Sequence, residues 1–247
     1  MASRLGEGAV TALNYGWFIM QVPETLIGTA LAIAVLPTLS EHFAREDNEA
    51  YRDTVNRAVR ALLALTIPIA ALIFAGISPL VRVLGFDEQG TSLVIWATRA
   101  YLLGLAGHAL LEVAARSFYA RQNALVPLGA AALNALLYLV FAISFSRWWG
   151  HTGIALANTT AFTIEALLLL WLLNRQVPGV VRMGSTGLRA VGAAIIGALV
   201  VAGLLLVLPW TSWGVLYSAL AGVGALAMGG LVVLPMIWPE VRVLIKL

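Results

Sequence analysis

The chain has 247 residues, of which 61% are hydrophobic and only 11% are charged, and its mean hydropathy is +0.91. Soluble domains carry about 25% charged residues, so this composition excludes a soluble globular protein and predicts an all-α, polytopic transmembrane helix bundle. The net charge of +3 is too small to predict nucleic-acid binding. The absence of cysteine excludes a disulfide framework and thiolate metal sites.

Seven apolar segments are long enough to cross a bilayer, which takes about 20 residues per helix. In chain order we predict spans at 12–40, 57–78, 91–116, 124–146, 152–173, 187–208 and 213–237. A polar, glycine-containing link at 174–189 separates the last two spans from the first five. We therefore predict a main lobe at 1–175 and an accessory pair of transmembrane helices at 176–247.

The first span interrupts its apolar run with polar residues and with proline. On a helical wheel one stripe collects Asn14, Gln21, Thr25 and Gly28, with Glu24 at its edge. Pro23 cannot donate a backbone hydrogen bond, which predicts a bend at that point. We expect this stripe to face protein or water instead of lipid.

Ionisable residues within the predicted spans are the strongest indication of a functional site in this sequence, because each is costly in hydrocarbon unless it is paired or hydrated. Glu24 lies near the middle of the first span. It fits either a cation or proton site in a cavity or a protonated carboxyl bonded to a neighbouring helix. The sequence leaves both interpretations open.

Two further spans carry polar groups at helical spacing. His108, Glu112 and Arg116 recur every four residues, which predicts a ladder on one face in which Glu112 pairs with Arg116. Asn158 and Glu165 are seven residues apart on another face. This second pair fits an interhelical hydrogen-bond set or part of a hydrophilic path, and both interpretations stay open.

The segment at 44–60 is acidic at its start and basic at its end, which predicts a short helix at the membrane surface. Basic residues concentrate in the loops after odd-numbered spans and at the C-terminus, including Arg45, Arg52, Arg57, Arg121, Arg175, Arg182, Arg189, Arg242 and Lys246. The opposite loops hold Arg4, Arg82 and Arg147. By the positive-inside rule, the C-terminus is predicted to be cytoplasmic.

Signatures of soluble enzymes are missing from the sequence. It has no Walker A loop, no GxGxxG and no HExxH, and its three histidines are not at metal-ligand spacing. We predict that the protein is not an enzyme and has neither a metal site nor a cofactor. A coupling cation or proton is left open.

Two motifs resemble the MurJ/MviN family of lipid II flippases. The first consists of Leu13-Asn14-Tyr15, Pro23, and Leu36-Pro37-Thr38-Leu39-Ser40; the second is Arg116-Ser117-Phe118-Tyr119-Ala120-Arg121-Gln122-Asn123, followed by Pro127. The resemblance covers almost the entire chain. It implies a fourteen-span fold, with two six-helix lobes around a cationic cavity and two accessory helices. On that mapping this chain is the second lobe with the accessory pair, and the first lobe is absent.

The resemblance also implies a function in bacterial cell-wall synthesis. The family moves an undecaprenyl-pyrophosphate-linked peptidoglycan precursor across the inner membrane by alternating access. Substrate-cavity residues would be Asn14, Phe18, Gln21, Glu24, Thr25, Asn158 and Glu165, and a cytoplasmic gate would include Arg116, Phe118, Tyr119 and Arg121. The expected partners are a lipid-linked oligosaccharide, membrane lipids, and a separately encoded first lobe or a second copy. We expect no nucleic-acid partner.

One departure from the family pattern bears on the substrate. Phe18 occupies a position where many relatives carry a cavity-facing arginine, and Glu24 stands where a small or polar residue is common. A pyrophosphate is held through charge-assisted contacts to arginine. We therefore expect a weakened anion site in this lobe and no transport by this polypeptide alone.

The sequence is also compatible with two alternative functions. A related exporter of polysaccharide-linked lipids, or a cation-coupled drug exporter, would use a similar lobe, and Glu24 favours that alternative. A non-transporting scaffold would bind cell-wall synthesis proteins through the surface helix at 44–60.

Overall fold

A computed structural model describes residues 6–182 and 184–244. Within these ranges the chain forms eight α-helices and no strand: α1 (Ala9–Pro23), α2 (Ala30–Ala44), α3 (Asn48–Val81), α4 (Glu88–Leu102), α5 (Leu105–Ala120), α6 (Leu125–Gln176), α7 (Thr186–Val207) and α8 (Val215–Leu244). A π-helix at Glu24–Thr29 joins α1 to α2, and a 3-10 turn at Arg82–Leu84 follows α3. The predicted all-α class is confirmed. Arg4 and Lys246, used in the charge distribution, lie outside the described residues.

The first span remains one helical segment of 36 residues, Ala9–Ala44. Directly after Pro23 the helix widens into the π segment, and the bend at Pro23 stays a prediction. Proline removes one helical hydrogen bond, and π geometry occurs mostly as a single turn inside an α-helix, as it does here. The proline therefore changes the winding of the span and leaves it continuous.

The predicted surface helix at 44–60 is wrong. Asp47 caps α3 by accepting a hydrogen bond from the Ala50 N–H at 2.9 Å, and the helix then runs unbroken from Asn48 to Val81. Tyr51 and Val55 are fully buried in the protein. Their apolar stripe packs against α2 and α5, so these turns are part of a long helix with one face in the protein core.

The third predicted span is broken in the middle. Helices α4 and α5 together are apolar enough to cross the membrane, but they meet at an angle of 42°. Gly104 lies at the break, where an added Cβ would come within 3.0 Å of the Thr159 Cα. The bend therefore brings the backbone of this span against the second half of α6.

Helix α6 has 52 residues, about 78 Å at 1.5 Å per residue, which far exceeds a hydrocarbon core of about 30 Å. The backbone of Trp149 and Gly150 is not helical, and Gly150 has φ 53° and ψ −131°, a conformation open essentially only to glycine. The Asn134 Nδ2, before the turn, donates a hydrogen bond of 2.6 Å to the Glu165 carboxylate, after the turn. The helix is thus a hairpin whose arms, 125–148 and 151–176, match the predicted fourth and fifth spans.

Helices α7 and α8 pack against α3 and against each other. Their shared apolar cluster includes Leu72, Val201 and Val233. At one end Arg60 on α3 donates to the Glu240 carboxylate at 2.9 Å and to the Thr186 hydroxyl at 2.9 Å. With the bent α4–α5 pair counted as one segment and the α6 hairpin as two, the described residues contain seven segments whose length and composition allow them to cross a membrane.

We expect Gly107→Ala to destabilise the protein, because the new Cβ would lie 3.0 Å from the Thr163 Cα on the facing helix. Overpacking of this kind costs about 1–3 kcal/mol. Gly129→Ala is the matched control, since nothing lies within 4 Å of its added Cβ, and alanine favours the helix. Thermal unfolding in detergent should show a lower Tm for Gly107→Ala only; equal Tm values would contradict the packing.

Candidate functional site

One face of α1 points away from the rest of the described chain. Asn14 and Gln21 are exposed on it, and Phe18 between them is 64% exposed. Thr25, four residues beyond Gln21 in the π segment, is also exposed. The opposite face packs closely on α4, where a Cβ added to Gly16 would lie 2.9 Å from the Thr98 backbone nitrogen. We call the residues Asn14, Phe18, Gln21 and Thr25 the open face.

Gly28 does not belong to the open face. It is buried, and an added Cβ would lie 2.9 Å from the Ala109 Cα on α5. The wheel that predicted its position assumed 100° per residue, whereas the π segment winds more slowly, so residues after Pro23 rotate relative to those before it. The π segment thus turns Gly28 onto α5.

Glu24 is half-buried at the edge of the open face. Its carboxylate accepts hydrogen bonds from the Thr29 hydroxyl at 3.2 Å and 3.4 Å and from the Thr25 hydroxyl at 3.4 Å. The π segment that carries Glu24 packs against α5, where Glu112 and Arg116 form an ion pair. We call Glu24, Thr25, Thr29, Glu112 and Arg116 the Glu24 cluster.

The predicted ladder on α5 is confirmed in part. Arg116 donates to the Glu112 carboxylate as the spacing predicted. His108 instead faces α6, where its Nε2 lies 3.1 Å from the Asn158 Oδ1. The His108 ring is buried between Phe162, at a centroid distance of 4.3 Å, and Trp17 of α1, at 5.4 Å.

Glu165 lies inside the α6 hairpin. It is buried, and one of its oxygens accepts a hydrogen bond of 2.6 Å from the Asn134 Nδ2 on the other arm. Asn158 and Glu165 thus take part in separate interhelical contacts. Among the described residues, neither side chain bonds to the open face, and Asn158 reaches α1 only through His108 and Trp17. Their place in a substrate cavity stays a prediction.

The motif at the end of α5 combines core and surface positions. Phe118 is fully buried and Tyr119 is 50% exposed. The Arg121 guanidinium lies over the Phe43 ring at 5.2 Å and over the Tyr51 ring at 5.5 Å. Arg116 belongs to the Glu24 cluster, so the motif connects that cluster to the α2–α3 turn.

Three contributing residues were not recognised from the sequence. Thr29 reaches Glu24 five residues away, a spacing that only a π turn brings together. Tyr51 donates through its hydroxyl to the Ser117 carbonyl at 2.6 Å. Asn134 pairs with Glu165. The two residues are equally far along the chain from the Trp149–Gly150 turn, and this symmetry could have predicted the pair from the sequence.

Within 6–182 and 184–244, no three acidic or histidine side chains come together as a metal site requires.

Comparison with known proteins decides the family. The sequence profile described as "Lipid II flippase MurJ" matches residues 1–224. The chain belongs to this family. A lipid II flippase MurJ of Burkholderia cenocepacia is 31% identical over 209 residues, which are 83% of this chain and 40% of that protein. A probable lipid II flippase MurJ of Vibrio cholerae is 25% identical over 238 residues, 93% of this chain and 45% of that one.

Solved structures agree on the fold. The structure titled lipid II flippase MurJ, inward closed conformation, superposes with a TM-score of 0.72 at 22% identity, over 91% of this chain and 47% of that one. An outward-facing multidrug resistance MATE family transporter gives 0.65 at 14% identity, over 99% and 62%. The MurJ family is one of transporters, and the apolar helices with these relatives identify an integral protein of the inner membrane. The chain spans less than half the length of the two relatives named above.

A double-mutant cycle should give a coupling of about 1–2 kcal/mol between Glu112 and Arg116, because both side chains are partly shielded from solvent. Glu41 and Arg45 are the matched control, with the same spacing and order but side chains 57% and 71% exposed. Their coupling should be about 0.3–0.5 kcal/mol. Unfolding free energies of the single and double alanine variants measure both values, and equal couplings would contradict the shielding of the α5 pair.

Proposed function

We propose that this chain is the second lobe and the accessory helix pair of a lipid II flippase. The lobe would occupy residues 1–175 and the pair residues 176–247, with the C-terminus in the cytoplasm. Together with a first lobe, it would move the undecaprenyl-pyrophosphate-linked precursor from the inner to the outer leaflet by alternating access. Membership of the MurJ family and the names of the relatives support this proposal.

The open face of α1 is the observation on which the proposal depends. Polar side chains are costly against lipid and are found where protein or water covers them. Asn14, Gln21 and Thr25 have no such cover within the described chain, whereas the other side of α1 is packed on α4. A first lobe placed opposite this face would enclose a polar cavity with Glu24 at its edge, and Asn158 and Glu165 behind it.

The charge of this face bears on how the substrate would be held. A pyrophosphate is bound best by arginine, through charge-assisted and bidentate hydrogen bonds. The open face presents Phe18 and no arginine, and the Glu24 carboxylate lies beside it. In our proposal the first lobe therefore supplies the cations that hold the pyrophosphate.

The Glu24 cluster would connect the cavity to the gate. Glu24 lies at the cavity edge, and Arg116 belongs to the motif that continues through Phe118, Tyr119 and Arg121 to the α2–α3 turn. A proton or cation on Glu24 would change its repulsion with Glu112 and its attraction to Arg116. This arrangement provides a physical route from ion binding in the cavity to the end of α5.

We expect the purified chain alone to be inactive as a flippase, because alternating access requires two lobes that rock around a central site. The measurement is flipping of fluorescent lipid II in liposomes that contain this chain, with and without the first lobe of a MurJ relative. Transport should appear only when both are present. Robust transport by the chain alone would overturn the proposal that both lobes are required.

We expect Phe18→Arg to increase the affinity of the chain for lipid II about tenfold, since one charged hydrogen bond contributes about 1.5–3 kcal/mol. Phe18→Gln is the matched control, because it adds polarity at the same exposed position without charge. Binding is measured by microscale thermophoresis in detergent. An equal gain for both variants, or no gain for either, would show that position 18 does not face the substrate.

The second candidate is a cation-coupled drug exporter, which the carboxylate of Glu24 beside the open face favours. The two candidates differ in which ligand raises the unfolding temperature of the chain: lipid II or a cationic drug. Protection by the drug alone, lost in Glu24→Gln, would favour the exporter. The scaffold alternative depended on a separate surface helix at 44–60, and those residues are instead largely the first turns of α3.

A further inference from the structure

A cavity of about 710 Å³ opens at the end of the bundle where α3 turns into α4 and α7 into α8. It lies away from the open face, between the 3-10 turn at Arg82–Leu84 and the α7–α8 loop. Two arginines line it, together with hydroxyl and indole groups: Arg82, Arg99, Thr91, Ser92, Trp96 and Trp210. We call it the loop cavity.

Arg82 forms one wall of the loop cavity. Its Nη1 donates to the carbonyl oxygens of Trp210 at 3.3 Å and Thr211 at 3.2 Å, and its guanidinium lies 5.5 Å from the Trp210 ring. These contacts hold the α7–α8 loop over the α3–α4 turn. They also place a positive charge at the mouth of the cavity.

Arg99 lies deeper, eleven residues into α4 from Glu88, which is about 17 Å along the helix axis. Its Nε donates to the Phe74 carbonyl at 3.1 Å, and its guanidinium lies over the rings of Phe74 at 5.2 Å and Trp96 at 5.3 Å. Within the described part of the chain, no carboxylate forms an ion pair with it, although Glu88 lines the rim of the cavity. The Phe74 carbonyl and the two rings hold this guanidinium in place, and its positive charge is available to an anionic ligand.

Apolar grooves adjoin this cation. One, of about 410 Å³, is lined by Trp96, Trp149 and Leu156 and shares Arg99 with the loop cavity. The next, of about 340 Å³, shares Phe74 and Leu103 with the first and ends at Ala194 on α7. A basic cavity therefore adjoins two apolar grooves, an arrangement that fits a molecule with an anionic head and a hydrocarbon tail.

We propose that the loop cavity binds an anionic phospholipid of the surrounding bilayer. Its phosphate accepts hydrogen bonds from Arg99, Arg82 lies at the cavity mouth above the headgroup, and an acyl chain occupies the groove beside Phe74. The adjoining apolar volume favours a lipid over a soluble phosphate. The site is separate from the open face and is independent of the proposed transport.

The test uses native mass spectrometry of the full chain in detergent, titrated with phosphatidylglycerol, phosphatidylcholine or glycerol 3-phosphate. We expect phosphatidylglycerol to bind at least tenfold more tightly than the other two. Arg99→Gln should weaken that binding about tenfold, because one charge-assisted contact is lost. Arg147→Gln removes one exposed charge from the same end of the bundle, outside the cavity lining, and should leave binding unchanged.

A second variant keeps the proposal testable if Arg99→Gln fails to fold. Ser92→Trp fills the loop cavity from an exposed position and leaves both arginines in place, so it should also weaken phosphatidylglycerol binding about tenfold. Equal binding of phosphatidylglycerol and phosphatidylcholine would overturn the proposal, as would equal losses in Arg99→Gln and Arg147→Gln. Glycerol 3-phosphate binding as tightly as the lipid would show a soluble-phosphate site and overturn it too.

Discussion

Hydrocarbon offers no hydrogen-bond partner, so every backbone amide and carbonyl that a helix leaves free within the bilayer must find one inside the protein. Irregular points in the described chain satisfy or avoid this requirement in different ways. After Pro23 the helix widens and continues to bond to itself. At the α4–α5 break, the carbonyl of Ala100 accepts a hydrogen bond of 2.8 Å from the Thr159 hydroxyl on α6. At Gly150 the chain reverses between two complete helices.

The same constraint explains which parts of the fold could be predicted from the sequence. Apolar runs of sufficient length identify spans directly, so the seven crossing segments and the hairpin turn near Trp149 were predictable. The Glu112–Arg116 pair was also predictable, because four-residue spacing on a helix leaves little freedom. Pairings between helices were not: His108 meets Asn158 and Glu165 meets Asn134 through packing that no local pattern encodes.

The wrong prediction at 44–60 has a specific cause. An amphipathic helix can bury its apolar stripe in a membrane surface or in its own protein, and the sequence pattern is the same in both cases. Tyr51 resolves this ambiguity in the structure, since its hydroxyl bonds the Ser117 carbonyl on α5. The open face shows the converse: its polar stripe was predictable, because residues three or four positions apart share one face of a helix, and within the described residues this stripe is exposed.

The contacts of Arg60 with Glu240 and Thr186 couple the three helices α3, α7 and α8 at one end. Glu240 is buried, and removing a partner from such a charge is costly, so these helices resist separation there. Any rigid-body rotation of α3 therefore carries α7 and α8 with it. The α3 and α7 walls of the groove beside Phe74 would then move together, and a hydrocarbon chain lying against them would move with this half of the molecule.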